Sequence, residues 1–173
     1  LIQNLANIIQ RRREEIVDWL VQESGSTRFK ANLEVDASLG IIQESAKFPD
    51  LIQPEELESR DPARQSIVIR KPLGVIAVIS PWNFPFHLSM RSVITAIACG
   101  NTVVLKPASD TPVTGGTLLG KLFEEAGTPH GVFNVVVGAG KEIGDYFVER
   151  ICANDHDESC AFNIFNRPRI TTH

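Results

Sequence analysis

Residues 74–79, Gly-Val-Ile-Ala-Val-Ile, form an unbroken apolar run rich in β-branched side chains and closed by Ser80-Pro81. No position along it is reserved for water, so it reads as a strand covered on both faces. A helical segment follows, about Leu88 to Cys99, stopped by Gly100, and a second short strand spans Thr102 to Leu105. Ser109 or Asp110 can cap a third segment with Pro112 near its first turn, which runs to about Ala126 and stops at Gly127. A third strand, Val132 to Val137, leads into Gly138-Ala-Gly-Lys-Glu-Ile-Gly144 and another helix to about Arg150. This alternation predicts an α/β fold, a parallel sheet with helices on both faces and right-handed crossovers.

Upstream, residues 1 to 24 read as a helix, with Leu1, Leu5, Ile8, Ile16 and Leu20 at helical spacing. Gly25 is a plausible stop, and Ser26 or Thr27 can cap a second helix. Its stripe would be Phe29, Leu33, Ala37 and Ile41, and Pro49 would end it. Arg11, Arg12 and Arg13 are followed at once by Glu14 and Glu15, the pattern of a solvated helix face rather than a phosphate grip. Residues 49–65 are rich in Pro, Glu, Asp and Arg and look like a connection, while 66–70 could form a short edge strand.

The chain is 43% apolar and 22% charged, with a net charge of -4, which argues against disorder and fibrous repeats. No apolar stretch reaches the roughly 18 residues of a membrane span. The mildly acidic balance gives no electrostatic reason to expect nucleic acid. Three cysteines, an odd number, make no disulfide framework, and no secretory leader is visible, so a cytoplasmic protein is expected. The chain begins at Leu1, already inside an amphipathic pattern, a hint that this is not its natural start.

In a parallel sheet, ligands lie beyond the carboxyl ends of the strands. Those ends here are Ser80 to Pro85, Lys106 to Ser109, and Gly138 to Gly144. Two prolines fix φ around the first turn; Asn83 offers an amide donor for an oxyanion or a bond to its own backbone, and Trp82 a flat wall. Lys106 can reach sugar hydroxyls or phosphate, or extend to water from the sheet rim. The third turn allows close approach of an anion to a helix N-terminus, and Lys141 adds positive charge. Its glycine spacing is not the dinucleotide fingerprint, however, and it follows the third strand rather than the first. Cys152, His156 and Cys160 recur every four residues and are zinc-type ligands, but a fourth ligand would require His173 to fold back, so no metal site is assigned.

Ser80-Pro-Trp-Asn-Phe-Pro85, Gly100-Asn-Thr-Val-Val-Leu-Lys-Pro-Ala-Ser109 and Gly131-Val-Phe-Asn-Val-Val-Val-Gly138 together resemble the NAD(P)-dependent aldehyde dehydrogenase superfamily, over about Leu1 to Glu149. Leu88-Ser-Met-Arg-Ser92 is further similar to its benzaldehyde or vanillin dehydrogenase subgroup. The resemblance implies a Rossmann-like domain over 1–149, preceded by two helices, and a tail over 150–173 outside the family pattern. It implies NAD or NADP as cofactor and an aldehyde as substrate. Asn83 would match the oxyanion-stabilising asparagine. Ile79, Ser80, Pro81 and Trp82 would line the nicotinamide-ribose side, and Lys106 would hold the adenosine ribose hydroxyls. Ser109 stands where many members have Glu, which should admit NADP as well as NAD. Gly140 and Lys141 would lie near the adenine, and Gly144 would allow close packing of its helix.

The family's later parts, a Phe-Thr-Gly-Ser-type segment facing the nicotinamide and pyrophosphate, a glutamate base and a nucleophilic cysteine, have no counterpart here. Cys99, Cys152 and Cys160 do not sit in the nucleophile motif. The expectation is a truncated aldehyde dehydrogenase, inert alone; the alternative is a non-catalytic module that binds a nucleotide or a partner. Three parallel strands would leave an uncovered edge, which predicts self-association or a partner chain.

Overall fold

The computed structural model describes residues 1–61, 63–152 and 162–164. The chain opens with α1 (Ile2–Arg11), α2 (Arg13–Ser24), α3 (Arg28–Ser45) and the single turn α4 (Phe48–Leu51). A small antiparallel hairpin follows, β1 (Glu55–Leu57) and β2 (Ser66–Val68). Then come β3 (Val75–Ile79), α5 (Pro85–Ala98) and β4 (Thr102–Lys106). A π-helical turn (Val113–Thr117) runs directly into α6 (Leu118–Glu125), and β5 (Phe133–Val135), α7 (Gly140–Cys152) and β6 (Phe162–Ile164) complete the described residues.

The sheet has the order β5-β4-β3-β6, and every pair in it is parallel. The predicted α/β architecture is thus present, as a Rossmann-like sheet with flanking helices. The chain winds outward from β3 to β4 to β5, then returns through α7 to pair β6 with the other side of β3. With right-handed crossovers this reversal puts α7 on the face opposite α5 and α6. A fourth parallel strand thus covers the side of β3 away from β4, where Ala77, Val78 and Ile79 pair with Phe162, Asn163 and Ile164.

One face of the sheet carries two helical layers. Phe86, Met90, Val93 and Ile94 of α5 and Leu118, Leu119, Leu122 and Phe123 of α6 are buried between sheet and outer helices. The outer layer contributes Leu5, Ile9, Ile16, Leu20, Val35 and Ile42 to the same core.

Several local expectations are corrected. The single helix over 1–24 is two, broken at Arg12 (φ -95°, ψ 18°). The arginine cluster lies on a largely solvated face, as expected, and also forms ion pairs there: Arg11 and Arg12 with Glu125 at the end of α6, and Arg13 with Asp36 on α3. On α3 the apolar stripe is wrong. Phe29 and Leu33 are 76% and 49% exposed, and the buried face is Ala31, Glu34, Val35, Ser38, Ile42 and Ser45. Hydrophobicity alone selected the wrong face because the buried one carries three polar residues. Pro49 sits in the first turn of α4, after α3 has already ended. Residues 49–65 are not only a connection, since β1 pairs with β2.

The helix after β4 begins as a π-helical turn whose backbone lies close against neighbouring side chains. A Cβ on Gly116 would lie 2.6 Å from Pro107 Cγ and 3.1 Å from Val135 Cγ1. Gly115 is pressed the same way between Pro85 and Pro107. At Gly120, one turn on, a Cβ would make only an ordinary 3.7 Å contact with Val135. Gly116→Ala is therefore expected to destabilise the chain by about 1–3 kcal/mol through overpacking. Gly120→Ala is expected to stabilise it by up to about 1 kcal/mol through helix propensity. Urea midpoints of the two variants should move in opposite directions.

Candidate functional site

Parallel, in-register strands bring their carboxyl ends to one rim. Ile79 lies opposite Lys106, the Ser80 N–H donates to the Lys106 carbonyl at 3.0 Å, and the Val136 N–H donates to the Leu105 carbonyl at 2.9 Å. The Ser80–Asn83 turn, the Lys106–Ser109 segment and the Gly138–Gly144 turn leave the sheet side by side. The reversal of strand order between β3 and β6 falls at the same rim, and open α/β sheets hold their ligands at such a switch point.

The structure gives each expected site residue a place there. Ile79 and Pro81 are half-buried, Trp82 is 59% exposed, and Asn83 is exposed. Ser80 is buried, and its Oγ has no hydrogen-bond partner among the described residues. Ser109, Gly140 and Lys141 are exposed. A Cβ at Gly140 or Gly144 would meet nothing within 4 Å. Among the described residues nothing packs closely on Gly144; the close approaches fall instead at Gly116, Gly138 and Gly100. Backbone topology brings these groups together, but no hydrogen bond among the described residues joins their side chains.

Lys106 is the most strained member electrostatically. It is 5% exposed, and its Nζ donates to the Pro107 carbonyl at 3.2 Å. Desolvation pushes its pKa down, with no carboxylate offsetting it. Thr111, 1% exposed, also has an unpartnered Oγ1 just beyond this segment.

Two residues that hold this rim were not singled out in the sequence. Helix α5 starts directly after the Trp82–Asn83 turn, with Phe84 at its N-cap position and Pro85 in its first turn. Neither side chain can cap. Glu34 of α3 does so instead: its Oε1 accepts from the Phe86 N–H at 2.7 Å and the His87 N–H at 3.2 Å. Glu34 is fully buried, and desolvation pushes its pKa up, against the pull of the two amides and Lys30. Burial, then nearby Arg91, pushes His87 down. Glu23 of α2 does the same for the π-helical turn, accepting from the Val113 N–H at 2.8 Å, the Thr114 N–H at 2.6 Å and the Thr114 hydroxyl. The expected cap Ser109 or Asp110 is exposed and plays no such part.

The zinc-type trio lies outside the described residues, which hold neither the Cys152 side chain nor His156, Cys160 or His173. Among the described residues no group of His, Cys, Asp and Glu could hold a metal, and no helix is long and apolar enough to cross a membrane.

The sequence model of the aldehyde dehydrogenase family matches residues 1–152. A vanillin dehydrogenase of Corynebacterium glutamicum is 54% identical over 148 residues, 86% of this chain and 31% of that protein. A benzaldehyde dehydrogenase of Bacillus subtilis is 45% identical over 149 residues, again 86% of this chain and 31% of that protein. The crystal structure of a NAD-dependent benzaldehyde dehydrogenase from Corynebacterium glutamicum superposes with a TM-score of 0.81 at 54% identity, over 85% of this chain and 32% of that one. The chain thus spans about a third of the length of the relatives it matches.

The buried amine of Lys106 yields a prediction with a definite sign. Between its depressed pKa and the ordinary value of 10.5, the unfolded chain binds more protons than the folded one. Stability of the ligand-free protein therefore rises with pH through that window. Lys106→Met should abolish this rise and stabilise the chain at neutral pH by about 1–3 kcal/mol, since a buried, unpaired cation is replaced by an apolar chain of similar length. Denaturation of both proteins at neutral and alkaline pH checks it.

Proposed function

The chain belongs to the aldehyde dehydrogenase family, and from that premise we propose that residues 1–149 form part of a nicotinamide-cofactor domain serving the oxidation of aldehydes to carboxylic acids with NAD or NADP. One observation carries this reading. At the switch point of the sheet, the rim holds a buried cation, Lys106, and a buried hydroxyl, Ser80, the first without a charged partner and the second without any among the described residues. Unsatisfied donors of this kind fit the hydroxyl and phosphate groups of a dinucleotide. Lys106 would hold ribose hydroxyls, with Ile79, Ser80, Pro81 and Trp82 along the nicotinamide-ribose side. Gly140, Lys141 and Gly144 would lie toward the adenine. When bound, the cofactor supplies the acceptor for a hydride from the aldehyde carbon. Asn83 would donate its amide hydrogen to the aldehyde oxygen as negative charge develops there. Ser109, exposed and uncharged, leaves room for NADP as well as NAD. The names of the relatives favour an aromatic aldehyde.

The chain alone is proposed to be inert. Cys99, the one thiol whose side chain is described, follows the last residue of α5, a helix of 14 residues that runs back from the rim. That puts it about 20 Å away along the helix axis, beside the amino ends of the strands. A nucleophile must sit within reach of the carbon that Asn83 polarises.

A second reading, a non-catalytic nucleotide- or partner-binding module, is favoured by β6. This strand, at 162–164, lies beyond the residues that match the family and still pairs with β3. Self-association belongs to either reading, because Leu57, Ile67, Ile69 and Leu73 expose apolar surface around the hairpin. Calorimetric titration with NAD and NADP should show saturable binding that Lys106→Met abolishes. No saturation with either at millimolar concentration would remove the cofactor reading. Benzaldehyde and vanillin should yield no NADH or NADPH with the chain by itself; turnover would overturn the proposed inertness.

A further inference from the structure

We infer that Glu34 is a positioning residue for the Trp82–Asn83 turn, fixing it through the first helical turn of α5. The functional meaning of this role rests on the cofactor reading above; its geometry does not. The turn is short and bounded by Pro81 and Pro85, whose fixed φ leaves it little freedom of its own. Its placement is therefore set by what holds its two ends. At the start, the Ser80 N–H is bonded to the Lys106 carbonyl inside the sheet. At the finish, the free donors are the N–H groups of Phe86 and His87, and both go to Glu34 Oε1. A carboxylate with no exposure is not replaceable by water at this point.

Lys30, one turn before Glu34 on α3, strengthens the link. Its Nζ lies 3.5 Å from Glu34 Oε2, 4.9 Å from the centre of the Phe84 ring and 2.7 Å from Ser26 Oγ. The same cation thus touches the capping carboxylate and the aromatic ring that follows Asn83. Phe84 in turn meets His87 edge to face at 5.7 Å. Glu34 and Lys30 together grip the downstream end of the turn from a helix that contributes nothing else to the rim. Loss of Glu34 should free that end while the Ser80 end stays in the sheet, so the damage is local to Trp82 and Asn83.

The test uses the full chain carrying Trp19→Phe, which leaves Trp82 as the sole indole. Glu34→Ala should speed amide exchange at Phe86 and His87 by about tenfold or more. It should also raise acrylamide quenching of Trp82 and weaken NADP binding by about tenfold, as expected for loss of a bond to a charged acceptor. Glu34→Gln keeps an oxygen acceptor of the same reach and should restore most of the protection. Val35→Ala, a core change on the same helix, should lower the melting temperature without moving either local signal. A folded Glu34→Ala with wild-type exchange and Trp82 quenching overturns the proposal, as does a Val35→Ala that moves both signals equally. Should Glu34→Ala not fold, Glu34→Asp retains the charge but falls short of the amides; wild-type local signals in that variant also overturn it. Failure of the parent chain to bind NADP, with the two local signals moving as stated, sinks the cofactor reading and leaves the positioning role standing.

Discussion

Two carboxylates reaching across from the outer helices hold the inner helical layer to the outer one. Helix α5 and the π-helical turn both begin after residues that cannot cap, Phe84 and Pro112. Their first N–H groups find Glu34 and Glu23 instead. A buried donor left without a partner costs about 1–3 kcal/mol, and four such donors are satisfied this way. Negative charge at a helix N-terminus also gains from the aligned peptide dipoles. For Glu34 these gains work against a desolvation cost visible in its raised pKa. The outer layer is therefore integral to the α/β unit. Beside the shared apolar core, its ion pairs to α6, Arg11 and Arg12 to Glu125, are partly exposed and contribute little by comparison.

The position of the two caps follows from topology. In a right-handed crossover the helix runs antiparallel to its strands, so each helix N-terminus stands at the carboxyl rim. Glu34 and Glu23 consequently sit just behind the Ser80–Asn83 turn and the Lys106–Ser109 segment. The same polarity sends Cys99 to the opposite edge. Glycines 115 and 116 let Pro107 and Pro85 come against the start of the π-helical turn, drawing the two rim segments together.

Much of this was legible in the sequence, and the exceptions share a cause. The three apolar runs, their order and their parallel pairing follow from unbroken β-branched text alternating with helical text. Lys106, Ser80 and Asn83 fall at the rim for that reason alone. The outer layer was harder. Helix α3 buries Glu34, Ser38 and Ser45 and exposes Phe29 and Leu33, so a periodicity weighted by hydrophobicity points away from its true inner face. A signal did exist: neither Phe84 nor Pro112 can cap, so the helices they precede call for acceptors from elsewhere. Strand β6 was illegible for another reason. Its three residues are too few to carry a period, and their pairing depends on an edge of β3 that only the folded sheet creates.

Several departures from the ordinary rules of burial gather at one place. Among the described residues Lys106 is buried without a counter-charge, Ser80 and Thr111 bury hydroxyls without partners, and Trp82 stands largely in solvent, all where the strands end. A fold selected for stability alone would place an apolar chain at 106 and a smaller residue at 82. Local violations that cluster beside helix starts whose N–H groups are capped mark a site whose partners come from outside the described residues. Behind that rim Glu34 and Glu23 hold the starts of the two inner helices, so the segments that carry these groups are fixed from the outer layer.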